Sequence, residues 1–273
     1  MTTKRPRSIR RLPVVEPDAP VPAAHRSLGI DTSDFDYLVA LAGNPNTGKS
    51  TVFNDLTGLR QHVGNWPGKT VARAEGGFAY EGKKYKLVDL PGTYSLLSAS
   101  TDEEIARDFI LFGQPDCTVI VVDATVLERN LNLALQILAI TDRAVLCLNL
   151  MDEAQRKGIR VNHKTLAKDL GVPVVPTVAR TSHGMPELVQ AIAGIASGAI
   201  ETQPHRIRAG GPTARSVEEL AELIAEEYPG LPNARWVAMR LLEGDRRVER
   251  AIQEGEFSDL VAEQHEPAVA GHH

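Results

Sequence analysis

Short apolar runs alternate with amphipathic segments through the central part of the chain, from about residue 36 to residue 197. The runs that begin at Tyr37, Thr118 and Ala144 are almost wholly apolar, which is typical of strands buried on both faces of a parallel sheet. This alternation predicts an α/β domain in which helices flank a mainly parallel sheet. Strands are predicted at residues 37–42, 78–80, 86–89, 118–123, 144–149 and 172–176, and helices at residues 49–58, 131–140 and 185–196.

The segments on either side of this domain differ in composition. Residues 1–34 are basic and rich in proline without apolar periodicity, so we expect a disordered tail. Residues 201–215 contain clustered Gly and Pro and are predicted to be a linker. Ser216 begins a capping-box pattern ahead of apolar residues at helical spacing, so residues 216–273 are predicted to form a small, acidic, all-helical subdomain. The central domain then spans residues 35–200.

Composition narrows the class of protein. The chain has 273 residues, of which 42% are hydrophobic, and a formal net charge of −5, which excludes wholesale disorder. Cys117 and Cys147 lie within apolar runs, so we expect two reduced core thiols in a cytosolic protein. No apolar stretch approaches the roughly 18 residues of a membrane span, and the acidic balance argues against a nucleic-acid partner.

Residues 43–50 read Gly-Asn-Pro-Asn-Thr-Gly-Lys-Ser and lie between a predicted strand and a predicted helix. This is the pattern and the context of a phosphate-binding loop, whose backbone N–H groups surround phosphate oxygens. Gly43 and Gly48 permit the dihedral angles that such a loop needs. Lys49 is expected to reach the β- and γ-phosphates, and Ser50 to bind Mg²⁺ through its hydroxyl. The other nucleotide contacts predicted here are Asn44, Pro45, Asn46, Thr47 and Thr51.

Two further segments are predicted to contact the phosphates and Mg²⁺. Residues 89–92, Asp-Leu-Pro-Gly, end a predicted strand, so Asp89 is placed to hold the Mg²⁺ shell through water and Gly92 to offer its N–H to a γ-phosphate. Residues 63–70 form a loop rich in Gly that suits a switch ordered by γ-phosphate and Mg²⁺. Thr70 is the candidate for a second Mg²⁺ hydroxyl. The remaining nucleotide contacts predicted in these segments are Gly68, Lys69, Leu90 and Pro91.

Base selection is predicted at residues 149–152, Asn-Leu-Met-Asp, which close the strand at 144–149. The Asp152 carboxylate can accept from two adjacent guanine N–H groups, a donor pattern that adenine lacks, so it would select GTP over ATP. Asn149 would brace neighbouring loops, and the backbone N–H of Ala179 would meet guanine O6. The remaining contacts predicted for the base are Leu150, Met151, Val178 and Arg180.

In this order, each at a strand end, the motifs resemble the cytosolic GTPase domain of the ferrous iron transport protein B family. The similarity covers about residues 37–196 and continues more loosely through residues 239–245. It implies a P-loop GTPase fold and GTP-dependent uptake of Fe²⁺ across the bacterial inner membrane through a membrane domain outside this chain. The segments that carry the resemblance are residues 43–50, 63–70, 89–95, 121–125, 127–131, 149–152 and 171–180.

The resemblance also implies cofactors and roles. The cofactors are GTP or GDP, Mg²⁺ held by Ser50, Thr70 and, through water, Asp89, and K⁺ held by Asn46. Thr93 stands where many GTPases have a glutamine that orients water, so hydrolysis is expected to be slow without K⁺. The alternative for Asn46 is that it only shapes the loop. The implied catalytic residues are Asn46, Lys49, Thr70 and Gly92.

Two side chains carry separate expectations. Leu150 occupies a position where many GTPases have a lysine against the guanine face, so weak nucleotide binding and rapid GDP release are expected. Trp66 has polar neighbours and is expected to be exposed, with packing against the edge of the sheet as the alternative. No set of Fe²⁺ ligands is visible in the sequence.

The implied partner is a membrane-spanning iron permease domain, in the same full-length protein or in a separate chain. Small accessory iron-uptake proteins and self-association are further expected partners, and nucleic acid is not. The chain is accordingly expected in the cytoplasm, at the inner face of the bacterial inner membrane. The alternative functions are a stand-alone soluble GTPase acting on ribosomes or RNA, which the acidic, lysine-free subdomain disfavours, and a nucleotide-gated binding module with negligible turnover.

Overall fold

The computed structural model describes residues 10–11, 28–58, 61–97, 100–206, 212–231 and 233–265. In this part of the chain, helices cover both faces of one eight-stranded sheet, and a group of helices follows it. The predicted α/β class with a C-terminal helical subdomain is confirmed.

The sheet is mainly parallel. Its order is β1-β4-β5-β2-β6-β7-β8, with β3 paired to β4. Strands β5, β2, β6, β7 and β8 run parallel to their neighbours in this series, whereas β1, β3 and β4 form antiparallel pairs. The strands are β1 (Arg10–Arg11), β2 (Tyr37–Gly43), β3 (Gln61–Asn65), β4 (Ala72–Tyr80), β5 (Lys83–Asp89), β6 (Cys117–Asp123), β7 (Ala144–Asn149) and β8 (Val174–Pro176).

All three predicted helices of the central domain are present, and one of them begins earlier than expected. The helix predicted at 131–140 begins at Leu127. The helices are α1 (Lys49–Thr57), α2 (Thr101–Phe112), α3 (Leu127–Ile140), α4 (Met151–Arg156), α5 (His163–Leu170), α6 (Met185–Ala196), α7 (Pro212–Glu227), α8 (Ala234–Leu242), α9 (Arg246–Gln253) and α10 (Glu256–His265).

The central strands are apolar throughout because both of their faces are buried. Along β2, Val39 and Leu41 pack with α1 and α6, while Leu38 and Ala40 pack with α2 and α3 on the opposite face. Successive side chains of a strand point to opposite faces, so one strand supplies both cores. Burial also raises the pKa of both cysteine thiols, to about 12 for Cys147, which suits reduced core residues.

Two predicted boundaries are wrong in the described residues. The predicted tail, residues 1–34, includes Ile30, whose side chain is 1% exposed and belongs to the core. Most of that tail, residues 1–9 and 12–27, lies outside the described residues. Helix α7 begins at Pro212, so Ser216 lies inside the helix and is not its N-cap. Proline is tolerated in the first turn of a helix, so the helix begins within the predicted linker.

The helical subdomain is joined to the central domain through α2. Arg247 on α9 pairs with Asp108 on α2 at 2.8 Å, and Arg107 pairs with Asp245 at 3.3 Å. Phe112 at the end of α2 packs on Phe257 of α10, with ring centroids 5.4 Å apart. Among the described residues, no helix combines the length and the apolar character that crossing a membrane requires.

Candidate functional site

The predicted motifs meet at one edge of the sheet. Residues 44–48 follow β2, Asp89 ends β5, Asn149 ends β7, and residues 177–180 follow β8. These strands are parallel, so their carboxyl ends lie side by side in the order of the sheet. Ligands of open α/β sheets bind outside this edge. The structure therefore brings the phosphate segments and the base segments together.

The phosphate loop needs glycine at two positions. Gly48 caps the N-terminus of α1 with φ +83°, in the left-handed region. A Cβ on Gly48 would lie 2.4 Å from Nδ2 of Asn149, and a Cβ on Gly43 would lie 2.5 Å from the carbonyl oxygen of Val121. Both contacts are shorter than heavy atoms tolerate, so side chains are excluded where the loop passes its neighbours.

Two buried residues shape the interior of the phosphate loop. The Thr47 hydroxyl donates to the carbonyl oxygen of Asn44 at 2.9 Å. Asn44 is 2% exposed, and neither polar atom of its amide has a partner among the described residues. Buried amides without partners are rare in folded proteins. This unpaired amide fits a loop that receives a polar ligand.

Lys49 lies between the phosphate loop and the end of β5. Its ammonium contacts the Asp89 carboxylate and donates to the carbonyl oxygen of Leu90 at 2.7 Å. Burial raises the pKa of Asp89, and the adjacent Lys49 charge opposes that rise. The cation predicted for the phosphates and the carboxylate predicted for the Mg²⁺ shell are therefore neighbours.

The residues after Asp89 pass directly beside the phosphate loop. A Cβ on Gly92 would lie 3.4 Å from the backbone nitrogen of Pro45, which places these two predicted contacts next to each other. The next residue, Thr93, is buried, and its hydroxyl donates to the carbonyl oxygen of Ser95 at 2.8 Å. The Thr93 hydroxyl is thus engaged in a hydrogen bond within its own turn.

Oxygen donors suited to Mg²⁺ are present at the phosphate side. Ser50 is exposed in the first turn of α1, and Asp89 lies near the same loop through Lys49. Hydroxyl and carboxylate oxygens are the ligands that Mg²⁺ prefers. The described residues contain no group of three or more His, Cys, Asp or Glu that could hold a metal ion.

Thr70 lies in the turn that joins β3 to β4, residues 66–71, which we call the switch turn. Ala74 of β4 pairs with Asp89 of β5, so the switch turn lies at the same edge of the sheet as the phosphate loop. Thr70 and Gly68 are exposed, and the Lys69 ammonium pairs with Glu104 of α2 at 3.4 Å. These predicted nucleotide ligands therefore lie at the same edge of the sheet as the phosphate loop, and no described contact joins them to that loop.

Trp66 anchors the switch turn, and the expectation that it is exposed is wrong. Its side chain is 3% exposed and meets the ring of Phe109 edge-on at 5.6 Å. The Arg73 guanidinium lies over the indole at 5.3 Å from the ring centroid. Polar neighbours in sequence did not reveal this burial because the partners come from α2 and β4.

Asn149 joins the phosphate loop to the base side. Its Nδ2 donates to the carbonyl oxygen of Thr47 at 3.0 Å. Its Oδ1 accepts from the backbone N–H of Ala179 at 3.1 Å and from the Thr177 hydroxyl at 3.3 Å. One buried side chain thereby fixes two loops. The Ala179 N–H, expected to meet guanine O6, is used by Asn149 in this structure.

Asp152 lies in the first turn of α4. The preceding Leu150 has φ +61°, which turns the chain sharply into that helix. One carboxylate oxygen of Asp152 contacts the Arg180 guanidinium, and the other is buried with no partner among the described residues. Met151 donates its backbone N–H to the carbonyl oxygen of Thr177 at 3.3 Å. The two base segments are therefore in contact.

Sequence reasoning missed two residues of the site. Thr177 holds Asn149, and Ser182 donates to the Asp55 carboxylate of α1 at 2.6 Å. Ser182 has φ +56°, which is uncommon for serine. Both side chains flank the segment at 178–180, and no motif marks them.

Comparisons with known proteins agree with this geometry. The family model described as "Ferrous iron transport protein B" matches residues 37–192, and the model described as "FeoB cytosolic helical domain" matches residues 211–269. The Fe(2+) transporter FeoB of Salmonella typhimurium is 43% identical over 212 residues, which is 76% of this chain and 27% of that protein. The chain thus spans about a quarter of the length of the curated relatives it matches.

Solved structures with the same fold include two cytosolic proteins of this kind. The apo cytosolic domain of the T. maritima FeoB iron transporter is 35% identical with a TM-score of 0.73, covering 84% of this chain and 93% of that one. A mutant of S. thermophilus NFeoB, bound to GDP, is 33% identical with a TM-score of 0.71, covering 83% and 88%. This chain belongs to the ferrous iron transport protein B family and carries that family's N-terminal and cytosolic helical domains.

Proposed function

We propose that this chain binds GTP and hydrolyses it to GDP and phosphate. The observation that carries the proposal is the shared edge at which Lys49, Asp89, Gly92 and Asp152 lie, with Asn149 joining the phosphate loop to the base side. The GDP-bound S. thermophilus relative supports the same class of ligand.

Each residue has a role that follows from its place. The backbone N–H groups of the phosphate loop other than Pro45, together with the Lys49 ammonium, bind the phosphates. This stabilises the charge that develops as water attacks the γ-phosphorus and the bond to the bridging oxygen breaks. Gly92 offers its N–H to the γ-phosphate. Ser50, Thr70 and, through water, Asp89 would hold Mg²⁺, which supplies further charge neutralisation when bound.

We further propose that K⁺ stimulates hydrolysis. Thr93 is buried and its hydroxyl is engaged by Ser95, so it does not replace the glutamine that orients water in other GTPases. Asn46 is exposed on the phosphate loop with φ +66°, which leaves its amide available to a cation beside the phosphates. A bound K⁺ would supply positive charge where an arginine finger acts in other systems.

Weak nucleotide binding is the expected consequence of Leu150. A leucine in place of lysine removes the cation that covers the guanine face in many GTPases. Leu150, Met151, Val178 and Ala179 lie in the two segments predicted to contact the base, so the base would rest on backbone and apolar groups. Rapid GDP release follows from this composition.

In the whole protein, we propose that the GTP/GDP cycle is coupled to Fe²⁺ uptake through a membrane permease domain, with this chain at the inner face of the membrane. Support comes from the full-length transporters it matches, of which the chain covers 27%. The matches to two models of one iron-transport family favour this function over a ribosomal GTPase. Accessory iron-uptake proteins and self-association remain proposals on the same basis.

The test is GTP turnover by the purified chain in KCl and in NaCl, each with Mg²⁺. We expect stimulation by K⁺ that Asn46→Ala abolishes while GDP binding persists. Asn132→Ala is the control, because Asn132 is an exposed asparagine on α3. Absence of any guanine-nucleotide binding would overturn the proposal. Equal turnover in KCl and in NaCl would contradict only the assignment of K⁺ to Asn46. K⁺ stimulation that persists in Asn46→Ala would likewise contradict only that assignment.

A further inference from the structure

The carboxylate assigned to guanine already has a partner within the chain. The Arg180 guanidinium contacts one oxygen of the Asp152 carboxylate, and the Arg156 guanidinium lies 3.6 Å from the same oxygen. The second oxygen of Asp152 is buried and has no partner among the described residues. The side chain of Arg180 is 61% exposed, so only its charged end is engaged.

The backbone that carries Arg180 is fixed on both sides. Ala179 donates its N–H to Asn149 at 3.1 Å, and Val178 exchanges backbone hydrogen bonds with His183. Beyond them, Ser182 is tied to Asp55 of α1 at 2.6 Å. The ion pair with Asp152 can therefore break by rotation of the Arg180 side chain alone, without movement of the loop.

A guanidinium and the edge of a guanine base present the same donors to a carboxylate. Each is planar and offers two adjacent N–H groups in a fork. A guanine edge would engage both oxygens of Asp152 in the plane of the carboxylate, and Arg180 already holds one of them. The base and Arg180 therefore compete for the same oxygen.

We propose that Arg180 competes with the guanine base for Asp152, and so lowers the affinity of the chain for GDP and speeds GDP release. The proposal rests on the proposed function, because it takes Asp152 to be the guanine acceptor. It assigns Arg180 a role opposite to a nucleotide contact: the side chain opposes base binding from within the protein. It acts in the same direction as the leucine at position 150, to which weak nucleotide binding is assigned above.

The first test compares the dissociation rate of fluorescently labelled GDP from the unmodified chain and from Arg180→Ala. An exposed ion pair is weak, so we expect release to slow by about two- to fivefold and the affinity to rise by the same factor. Arg180→Lys keeps the charge and lacks the fork, so its release rate should lie between the two. Arg143→Ala is the matched control, since Arg143 is also 61% exposed and pairs with Asp116 at the opposite edge of the sheet.

A second test separates competition from a general effect of charge. In Asp152→Asn, the carboxylate that Arg180 contacts is gone, and xanthosine diphosphate replaces GDP as the probe because its base suits an amide. Adding Arg180→Ala to this variant should leave the release rate of xanthosine diphosphate unchanged. A slower release in the double variant, equal to that seen with GDP, would show that Arg180 acts without Asp152 and would overturn the proposal.

The outcomes distinguish the two proposals. If the unmodified chain binds no guanine nucleotide, the proposed function fails. If it binds GDP and Arg180→Ala releases GDP at the same rate or faster, the function stands and the competition is refuted. Faster release would make Arg180 a residue that holds the nucleotide. Thermal unfolding of Arg180→Ala should match that of the unmodified chain, which excludes a change in the fold as the cause.

Discussion

The phosphate loop and the switch turn lie at the same edge of the sheet and are held in different ways. The phosphate loop is surrounded by backbone and by buried polar groups, with Gly43 against Val121 and Gly48 against Asn149. The switch turn exposes residues 67–70 and has one fully buried side chain, Trp66, with the partly buried Val71 packed against the same core. A Cβ added to Gly68 of this turn would meet nothing within 4 Å.

This difference separates two ways of building a site. A loop with tight contacts on all sides keeps one shape, which suits the binding of phosphates by backbone N–H groups. A turn anchored at one residue can move about that anchor, which suits a segment that responds to a γ-phosphate. Substitutions in the phosphate loop should therefore act by changing the shape of the loop. Substitutions in the switch turn should have a large effect when they remove its anchor, Trp66.

The largest effect is expected at the anchor. Trp66→Ala removes a buried aromatic side chain from its contact with Phe109, so the free energy of unfolding should fall by about 3–5 kcal/mol. Urea denaturation measures this free energy of unfolding. Lys69→Ala, in the same turn, removes only an exposed pair and should change that free energy by less than about 1 kcal/mol. Equal losses in the two variants would contradict the idea of a single anchor.

The next effect tests the shape of the phosphate loop. Gly48→Ala adds left-handed strain of about 1–2 kcal/mol and disturbs the Asn149 hydrogen bond, worth about 1 kcal/mol. The free energy of unfolding should fall by about 2–3 kcal/mol, the sum of these two terms. GDP affinity, measured by calorimetry, should fall as well, because the loop that surrounds the phosphates must shift to accept the side chain. Gly68→Ala is the matched control, because Gly68 has a similar positive φ in open space. A comparable loss at both glycines would show that strain alone, without contact, decides the result.

A smaller effect is expected at the brace between the loops. Asn149→Ala leaves the buried N–H of Ala179 without its partner, which costs about 1–3 kcal/mol, and it should weaken GDP binding because two loops lose their link. Asn130→Ala is the control: Asn130 is equally buried and holds the backbone of Asp123 and Val126 after β6. Asn130→Ala should lower the melting temperature and leave the GDP affinity unchanged.

The smallest effect on stability is expected at Thr70. Its side chain is exposed in the switch turn, so Thr70→Ala should change the free energy of unfolding by less than about 0.5 kcal/mol. The proposed Mg²⁺ role nevertheless predicts weaker binding of a non-hydrolysable GTP analogue with Mg²⁺, while GDP binding stays the same. Unchanged analogue binding would remove Thr70 from the metal site and leave the comparison between the two regions intact.

Much of the architecture was predictable because its signals are local. Each of these signals is carried by residues that are neighbours in the sequence. This holds for the apolar strands, the glycines of the phosphate loop and the polar residues at strand ends, and the structure has them where the patterns indicate. The errors have two origins. The polar neighbours of Trp66 predict exposure and the composition around Ile30 predicts a tail, yet both side chains are buried by packing against distant residues. The capping pattern at Ser216 predicts a helix start, but the helix begins a few residues earlier, at Pro212.

The order of the elements, the phosphate loop, the edge of the sheet at which the site lies and the bracing role of Asn149 all follow from the amino-acid sequence. The fold alone identifies the partners: Asn149 holds Thr47 and Ala179, and Arg180 pairs with Asp152. A motif encodes the backbone conformation of neighbouring residues, whereas these contacts join groups from strands and loops far apart in the chain. Such partners depend on how the elements pack, which no local pattern records.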